Sequence, residues 1–301
     1  MSVILETKLS ATLAYKGKVR DTYDLGNNML FVATDRISAF DSVLPCGIPD
    51  KGLVLNQLSA FWFEKTRHII PNHVIVVVDT VDTLHKFLPH EVNNKEQLLG
   101  RSMIVRKAER VPVEAVVRGY ISGSAWAEYA KTGTISGLPQ SKGMKESQEL
   151  PQPLFTPTTK ADAGHDLPLN KKELEDLIGK ELSVLLEQKS LEAYQYARSY
   201  SLERGIIIAD TKFEFGFIDG KLSLIDEMLT PDSSRFWDIT TYKIGQSQPS
   251  YDKQPVRDWL TASGWDKQSP PPMLPQKIID ETSERYKTAF KKLVGKEITT
   301  Y

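Results

Sequence analysis

The chain has almost no cysteine, and its few histidines are scattered. Cys46 is the single cysteine in 301 residues, which excludes an internal disulfide and a cysteine-cluster metal site. The histidines show no spacing typical of metal ligands, and they are His68, His73, His85, His90 and His165. The usual sulfur and imidazole metal centres are therefore not expected.

Long apolar runs and blocks of like charge are also missing. No apolar run approaches the length of a membrane span, and residues 1–11 lack the apolar core of a signal peptide. The net charge is −1, from 38 basic and 39 acidic residues, without the aromatic-basic repeat of a nucleic-acid binder. With 40% hydrophobic and 26% charged residues, the composition is that of a globular protein. We expect a cytoplasmic enzyme or ligand-binding protein, monomeric or weakly self-associating, with neither nucleic acid nor membrane as partner.

The order of predicted elements indicates an α+β fold. Apolar alternation and apolar runs predict strands at 16–23, 29–34, 74–78, 102–108, 111–120, 206–217 and 222–226. Spacings of three and four predict helices at 55–70, 123–131, 171–204 with a break near 179, 255–262 and 276–294. We therefore expect a β-rich N-terminal lobe (1–110), a mixed α/β lobe (111–250) and C-terminal helices packed on the core (251–301). The segment 134–170 is rich in Pro, Gly, Ser and Thr and is interpreted as a long loop or functional lid.

Residues 206–217 carry the strongest functional signal. After the apolar run 206–209, three charged residues alternate with four others: Asp210, Lys212 and Glu214 with Thr211, Phe213, Phe215 and Phe217. Because side chains of a strand point alternately to its two faces, one face is charged and the other largely aromatic. A cation between two carboxylates suits the binding of a metal and a phosphate. The alternative is a surface strand with a ladder of salt bridges.

A second unusual stretch covers 111–124, Val-Pro-Val-Glu-Ala-Val-Val-Arg-Gly-Tyr-Ile-Ser-Gly-Ser. Glu114 and Arg118 are its only ionised residues, and their even spacing puts both on one face of a strand. The strand ends before a helix, whose free N–H groups and dipole favour an anion. Arg118 and Ser124 are therefore predicted to bind one phosphate. A buried Glu114–Arg118 ion pair, with Ser124 as the helix N-cap, is the alternative.

The turn after the charged strand decides whether a second carboxylate joins Glu214. A two-residue loop at 219–220 would send Asp226 to the phenylalanine face. A three-residue loop at 218–220 would pair residue 212 with 226 and put Asp226 on the charged face. We expect the three-residue loop, because a carboxylate among phenylalanines would be a costly buried charge.

Three shorter polar segments complete the candidate set. The run 16–21, Lys-Gly-Lys-Val-Arg-Asp, has a glycine that lets backbone approach a phosphate, although a charged hairpin tip has the same composition. Arg235 is either a second phosphate ligand or part of a surface turn anchored by Trp237. The loop 35–41 is similarly polar and follows an apolar strand. Together these segments indicate magnesium-dependent chemistry on two phosphorylated ligands.

These segments resemble, in order and spacing, the signatures of the SAICAR synthetase family. The resemblance rests on 17–21, 34–41, 111–124, 208–216 and 229–237 and extends from about residue 15 to 260. The chain length and long middle segment resemble the monofunctional fungal-type members. The resemblance implies that ATP, the carboxylated ribonucleotide CAIR and L-aspartate give SAICAR, ADP and phosphate, with Mg²⁺ as cofactor. It also implies an ATP-binding N-terminal lobe similar to the small lobe of protein kinases.

The resemblance further implies roles for individual residues. Those for ATP are Lys16, Gly17, Lys18, Val19, Arg20, Arg106, Lys107, Ala108 and Glu114. Those for substrate binding are Arg118, Ser124 and Arg235, which match the site for the ribonucleotide's phosphate, together with Lys160, Asp166, Ser38 and Asp41. The implied catalytic residues are Lys212 and Asp210, and the implied metal ligands are Glu214 and Asp226. No residue is assigned to L-aspartate.

Two other classes of function remain open on the sequence. A kinase-like phosphotransferase would share the ATP loop and the carboxylates but would stop at a stable phosphoryl product. A non-catalytic nucleotide-binding protein would be expected to have lost the metal carboxylates or the lysine between them, and all three are present here.

Overall fold

Strands dominate the first third of the protein. The computed structural model describes residues 3–88, 95–160 and 166–301. The strands here are β1 Thr12–Lys16, β2 Arg20–Leu25, β3 Asn28–Ala33, β4 Arg36–Ala39, β5 Ser42–Gly47, β6 Val74–Val77 and β7 Ser102–Arg106. The helices are α1 Lys51–Thr66, α2 Val81–Phe87 and a short 3₁₀ helix, Lys95–Leu98.

The rest of the chain mixes strands with longer helices. Its strands are β8 Glu109–Tyr120, β9 Thr134–Ile135, β10 Leu138–Pro139, β11 Glu149–Phe155, β12 Thr158–Thr159, β13 Ile206–Ile218, β14 Lys221–Ile225 and β15 Ser234–Asp238. Its helices are α3 Gly123–Thr132, α4 Lys171–Ile178, α5 Lys180–Leu202, α6 Gln254–Ala262 and α7 Gln276–Val294.

Two antiparallel sheets organise these elements. The N-terminal sheet has the strand order β1-β2-β3-β7-β6. The second sheet has the order β11-β8-β13-β14, with β12 paired to β8 and β15 paired to β13. Strand β13 therefore pairs with three neighbours, β8, β14 and β15. The predicted α+β class with a β-rich N-terminal region is confirmed, whereas the likeness to a protein-kinase lobe stays a prediction.

The largest hydrophobic core joins distant parts of the chain. It contains Trp62 of α1, Val117 of β8, Phe213 of β13, Tyr194 of α5 and Phe290 of α7, all essentially without exposed surface. A smaller core lies under the N-terminal sheet. The three predicted domains thus contribute to one shared core, and their division at 110 and 250 stays a prediction.

The middle segment is more regular than its composition predicts. Strand β11 pairs with β8, and β12 pairs with the same strand further along. The Glu128 carboxylate accepts hydrogen bonds from the backbone of Ser136 and Gly137, both at 2.9 Å, which holds the β9–β10 turn. The expected irregular loop is therefore wrong for 134–139 and 149–159, where strands form, whereas 140–148 has neither helix nor strand. Residues 161–165, with His165, lie outside the described residues, and a mobile lid stays a prediction.

Helix α1 also differs from its predicted bounds of 55–70. It begins four residues earlier, at Lys51, after Asp50 adopts a left-handed conformation with a φ of 64°. It ends at Thr66, where the chain turns and Ile69 N–H bonds the Thr66 carbonyl at 2.8 Å. The helix is therefore four residues shorter at its C-terminal end than predicted.

Across the described ranges, none of the helices combines the length and the apolar content needed to cross a membrane.

The aromatic face of β13 should carry a large part of the folding stability. Phe215 has no exposed surface and lies opposite Leu224 of β14. Replacing it by Ala should lower the free energy of unfolding by about 3–5 kcal/mol, because a buried ring leaves a cavity. Leu13→Ala is the control, since Leu13 is 45% exposed and should cost no more than about 0.5 kcal/mol. Urea unfolding of both variants checks this, and equal effects would contradict the assigned core.

Candidate active site

The turn that follows β13 has two residues, so the expected register is wrong. Ile218 pairs with Lys221, and the residues between them, 219–220, both have positive φ. An Asp-Gly pair is well suited to this tight hairpin, which outweighs the charge argument for a longer loop. Glu214 consequently lies opposite Ile225, and the expected pairing of residue 212 with residue 226 does not form.

Asp226 avoids the aromatic face in another way. It follows the last residue of β14 and has a φ of 68°, so the strand alternation ends before it. Its carboxylate contacts the guanidinium of Arg20, which lies 4.2 Å from the centroid of the Phe31 ring. Burial lowers the pKa of Arg20, whereas the charges of Glu227 and Glu214 raise it, and the result is below its ordinary value. Glu214 and Asp226 therefore both lie near one guanidinium.

A row of three charges crosses the second sheet. Asp210 of β13 pairs with Arg118 of β8 on one side and with Arg235 of β15 on the other. Arg118 Nη1 lies 3.1 Å from Asp210 Oδ2, and Arg235 contacts the same oxygen. The carboxylate is 9% exposed, so both guanidinium groups are held by a nearly buried anion. One acid balances two cations, which leaves this row with a positive charge.

The row lies against the first turn of α3. Arg118 donates to Ser124 Oγ at 3.4 Å and to Thr156 Oγ1 at 3.0 Å. A Cβ on Gly123 would lie 2.9 Å from Cζ of Arg235, so the glycine lets this guanidinium approach the helix. Burial lowers the pKa of Arg118 and Asp210 opposes this shift, yet the guanidinium remains a cation. The geometry suits a phosphate dianion.

The alternative for 111–124 is wrong on both points. Arg118 pairs with Asp210 and not with Glu114. The N-cap of α3 is Ser122, which makes no side-chain capping bond, and Ser124 lies within the first turn.

Four further charges form a second cluster on the same strands. Glu114 of β8 and Glu214 of β13 lie directly opposite each other, an arrangement that is unfavourable unless a cation intervenes. Lys160 Nζ lies between them, 2.7 Å from Glu114 Oε1 and 2.8 Å from Glu214 Oε1. Lys212 Nζ is 3.0 Å from Glu114 Oε2.

The cluster sets the ionisation of its members. Burial would raise the pKa of Glu114, but the ammonium groups of Lys212 and Lys160 bring it below its ordinary value. Burial would lower the pKa of Lys160, but the Glu214 and Glu114 carboxylates raise it well above its ordinary value. Glu114 therefore stays an anion and Lys160 a cation near neutral pH.

The two-faced strand is confirmed. Phe213 and Phe215 have no exposed surface, whereas the side chain of Lys212 is 49% exposed on the opposite face. The ladder of salt bridges in the alternative interpretation is also present, because Asp210, Lys212 and Glu214 each pair with an opposite charge. The strand itself is mostly buried and is not a surface strand.

The glycine loop between β1 and β2 is held by a residue that the sequence did not single out. The guanidinium of Arg36 donates to the carbonyls of Gly17 and Lys18, at 2.9 and 3.3 Å. It also pairs with Asp21 at 2.7 Å. A groove of about 570 Å³ runs beside the loop, lined in part by Tyr15, Gly17 and Arg36. The loop therefore has a fixed base at 17–18.

Other predicted site residues lie apart from the two clusters. Arg106 and Lys107 pair with hairpin residues, Asp219 and Asp24 respectively. Ala108 approaches β13 closely, since a Cβ on Gly216 would lie 2.9 Å from its Cβ.

Beside the glycine loop, Lys18 pairs with Asp41, and Lys16 pairs with Glu6, each at 2.6 Å. Ser38 lies in β4, and Val19 accepts a backbone bond from Thr34 at 3.0 Å.

Asp166 lies beside β12, at the start of the last described range. Leu167 and Thr159 exchange hydrogen bonds, from Thr159 N–H to the Leu167 carbonyl at 2.8 Å and from Leu167 N–H to Thr159 Oγ1 at 2.9 Å. The segment is therefore anchored next to Lys160.

The carboxylates present are compatible with one divalent cation bound together with a ligand. Within the described part of the chain, no three His, Cys, Asp or Glu side chains form a group that could hold a metal. Mg²⁺ commonly uses only one or two carboxylates and takes its other oxygens from phosphates and water. Glu214 and Asp226 offer such a pair of oxygen donors beside Arg20 and Lys160.

Two supporting residues had no clear signal in the sequence. Thr156 lies in the segment interpreted as a loop, yet it fixes Arg118. Arg36 follows an apolar strand in the sequence, and nothing there indicates that it bonds the Gly17 carbonyl.

The fold and the site together define an α+β protein with two arginines joined by an aspartate, next to a cluster of carboxylates and lysines. Residues 13–272 match the model of the SAICAR synthetase family. The phosphoribosylaminoimidazole-succinocarboxamide synthase of Thermodesulfovibrio yellowstonii is 50% identical over 98% of this chain and 99% of its own. That of Geotalea uraniireducens is 50% identical over 94% and 95%.

Solved structures agree with these matches. The SAICAR synthase of Saccharomyces cerevisiae in complex with SAICAR is 43% identical, with a TM-score of 0.89 over 98% of this chain and 99% of that one. A SAICAR synthetase in complex with ADP is 25% identical, with a TM-score of 0.68 over 96% and 99%. The chain belongs to the SAICAR synthetase family and is an enzyme of that family.

The carboxylate between the two lysines should make stability depend on pH. The folded-state pKa of Glu114 is depressed, so its contribution is present above the unfolded pKa and lost as pH falls through the folded pKa. Glu114→Gln removes that contribution. The fall in urea midpoint between roughly pH 7 and roughly pH 4 should therefore be smaller in the variant than in the wild type. An unchanged fall would show that the lysines do not stabilise this carboxylate.

Proposed function

We propose that this enzyme is an ATP-dependent amide ligase that joins CAIR and L-aspartate to give SAICAR, ADP and phosphate. The observation that carries the proposal is the arrangement of two charge groups on one face of β8 and β13. Arg118 with Asp210 and Glu114 with Glu214 are opposite pairs in the same ladder, four residues apart along each strand. The row assigned to phosphate binding thus lies four residues along each strand from the cluster assigned to phosphoryl transfer.

The first group is assigned to the phosphate of the ribonucleotide. Arg118 and Arg235 supply guanidinium donors, and Ser124 adds a hydroxyl at the N-terminus of α3. Asp210 contacts both guanidinium groups, so the donors are oriented before the ligand arrives and less ordering is needed on binding. The yeast relative named above was solved in complex with SAICAR, which supports a ribonucleotide as the ligand.

The nucleotide is assigned to the glycine loop of the N-terminal sheet and to the link that joins this sheet to the second one. The loop 17–20 is assigned to the phosphates, and 106–108, the link from β7 to β8, is assigned to the adenine, following the kinase-like lobe that the resemblance implies. Arg36 holds the carbonyls of that loop. The relative in complex with ADP supports a nucleotide as co-substrate.

The chemistry proceeds in two steps. An oxygen of the CAIR carboxylate attacks the γ-phosphorus of ATP, the bond to the β-phosphate oxygen breaks, and ADP leaves with that electron pair. The resulting acyl phosphate is attacked at carbon by the amine of aspartate, which loses a proton as phosphate leaves. Phosphorylation thus converts a poor leaving group into a good one.

The chain's own residues position the groups and stabilise charge. Phosphoryl transfer requires positioning and charge neutralisation more than a protein nucleophile. Lys212, exposed beside Glu114, is assigned to the transferring phosphoryl group, and Lys160 to the carboxylate of the substrate. Mg²⁺ held by Glu214 and Asp226 would supply a further neutralising charge for phosphate oxygens and the CAIR carboxylate. The segment 134–170 is assigned to shielding the acyl phosphate from water.

Turnover with and without the amine distinguishes the ligase from the other functions. ADP release with ATP, Mg²⁺ and CAIR should require L-aspartate, and mass spectrometry should find the CAIR–aspartate amide. Release of ADP without aspartate would indicate a kinase or a leaking acyl phosphate. The absence of any turnover would favour a nucleotide-binding protein.

Removing either key charge should impair turnover and leave folding intact. Lys212→Ala and Glu214→Gln should each lower kcat by about two orders of magnitude or more. Removing one group that stabilises charge in a transition state typically has an effect of this size. Lys221→Ala is the matched control, because Lys221 is exposed at the distal hairpin end of β14 and should keep wild-type turnover. Circular dichroism should show all three folded. Near-normal turnover of Lys212→Ala would refute its assignment.

A further inference from the structure

The Arg118–Asp210–Arg235 row depends on an irregularity in β13. Along β15, Ile207 pairs with Trp237 and Ile208 with Phe236, but Asp210 then pairs with Arg235. Ala209 is thus an extra residue, which is a β-bulge. Without it, the ladder would place Ala209 opposite Arg235 and Asp210 opposite Ser234, and the carboxylate would no longer face both arginines.

A tyrosine from the opposite side of the sheet holds this bulge. Tyr194 of α5 is fully buried, and its hydroxyl donates to the carbonyl of Ile208 at 2.6 Å. That carbonyl belongs to the peptide that leads into Ala209. A bulge interrupts the regular hydrogen bonds between two strands. The Tyr194 hydroxyl therefore supplies a hydrogen bond to the backbone at a point where the neighbouring strand does so less regularly.

The hydroxyl reaches the strand only because residue 119 is glycine. A Cβ on Gly119 would overlap the Tyr194 hydroxyl oxygen and lie 2.9 Å from Cζ of the ring. Gly119 follows Arg118 in β8, and its Cβ position faces α5, whereas Arg118 faces the site. The glycine is therefore needed for space and not for an unusual φ.

We propose that Tyr194 is a positioning residue for the phosphate site, acting through the bulge at Ala209, with Gly119 as the opening that admits its hydroxyl. The inference rests on the proposed function, since it assigns the row to the phosphate of a ribonucleotide. Tyr194 does not touch the ligand. It sets the register that lets Asp210 orient two guanidinium groups at once.

The consequence is a specific kinetic signature. Tyr194→Phe should raise KM for CAIR and the dissociation constant of SAICAR by about fivefold to tenfold. This is the typical effect of losing one hydrogen bond, here the bond from Tyr194 to the Ile208 carbonyl. KM for ATP and kcat should stay within about twofold, because the Glu114–Glu214 cluster lies further along the ladder. A merely structural tyrosine would lower the melting temperature without this selective change.

The matched control is Tyr23→Phe. Tyr23 is 2% exposed, and its hydroxyl also donates to a backbone carbonyl, that of Thr7 at 2.8 Å, in the N-terminal sheet. This variant should lose stability to a similar degree and keep the wild-type KM for CAIR.

A double-mutant cycle tests the path through Gly119. Gly119→Ala alone should raise KM for CAIR by more than Tyr194→Phe does, because the added Cβ displaces the whole phenol. In the Tyr194→Phe background the same change should cost less than it does alone, since both changes act on one hydroxyl. Additive effects would overturn the proposal, and so would an unchanged KM for CAIR in Tyr194→Phe.

The wild-type control separates the two levels of inference. An active wild type with an unaltered Tyr194→Phe variant rejects only the positioning role, whereas a wild type without aspartate-dependent turnover rejects the proposed function and this inference with it. If Tyr194→Phe does not fold, Gly119→Ala provides the measurement with the hydroxyl retained. If neither single variant folds, Tyr194 determines folding and the positioning role is rejected.

Discussion

The alternation of side chains along β13 is the constraint on which the rest of the molecule depends. One face of this strand supplies Phe213 and Phe215 to the largest core, and the other supplies Asp210, Lys212 and Glu214 to the site. Three neighbouring strands fix it in place. Because both faces belong to one backbone, a shift of register would disturb the core and the site together.

Charges near the sheet are tolerated because each has a partner in a neighbouring element. Lys160 separates two opposed glutamates, and Asp210 separates two arginines. A buried or half-buried charge without such a partner would be costly. The alternation of signs along and across the strands therefore makes a dense polar site compatible with a sheet that also covers the main core.

The sequence predicted those parts of the structure that depend on local periodicity. The alternation in 206–217 predicted two contrasting faces, and the helix expected at 123–131 is α3, which Gly133 caps with a φ of 75°. Contacts between distant segments were less accessible. The Asp-Gly turn forms the shorter loop and not the expected longer one. The neighbouring residues do not indicate the left-handed conformation of Asp226. The composition of 134–170 is typical of a loop, although β11 in this segment pairs with β8. The pairing of Glu114 with Lys160 depends on tertiary structure alone.

The ion pairs of Arg20 with Asp226 and of Lys160 with Glu214 have a consequence for the order of binding. A bare divalent ion would have to displace cations that already neutralise both carboxylates. A nucleotide that brings its own ion offers the displaced arginine and lysine new anionic partners on the phosphates. In such an exchange each carboxylate would gain the ion as its partner, and each displaced cation would gain a phosphate. Under the proposed function, these two ion pairs would therefore favour the ion–nucleotide complex over the free ion.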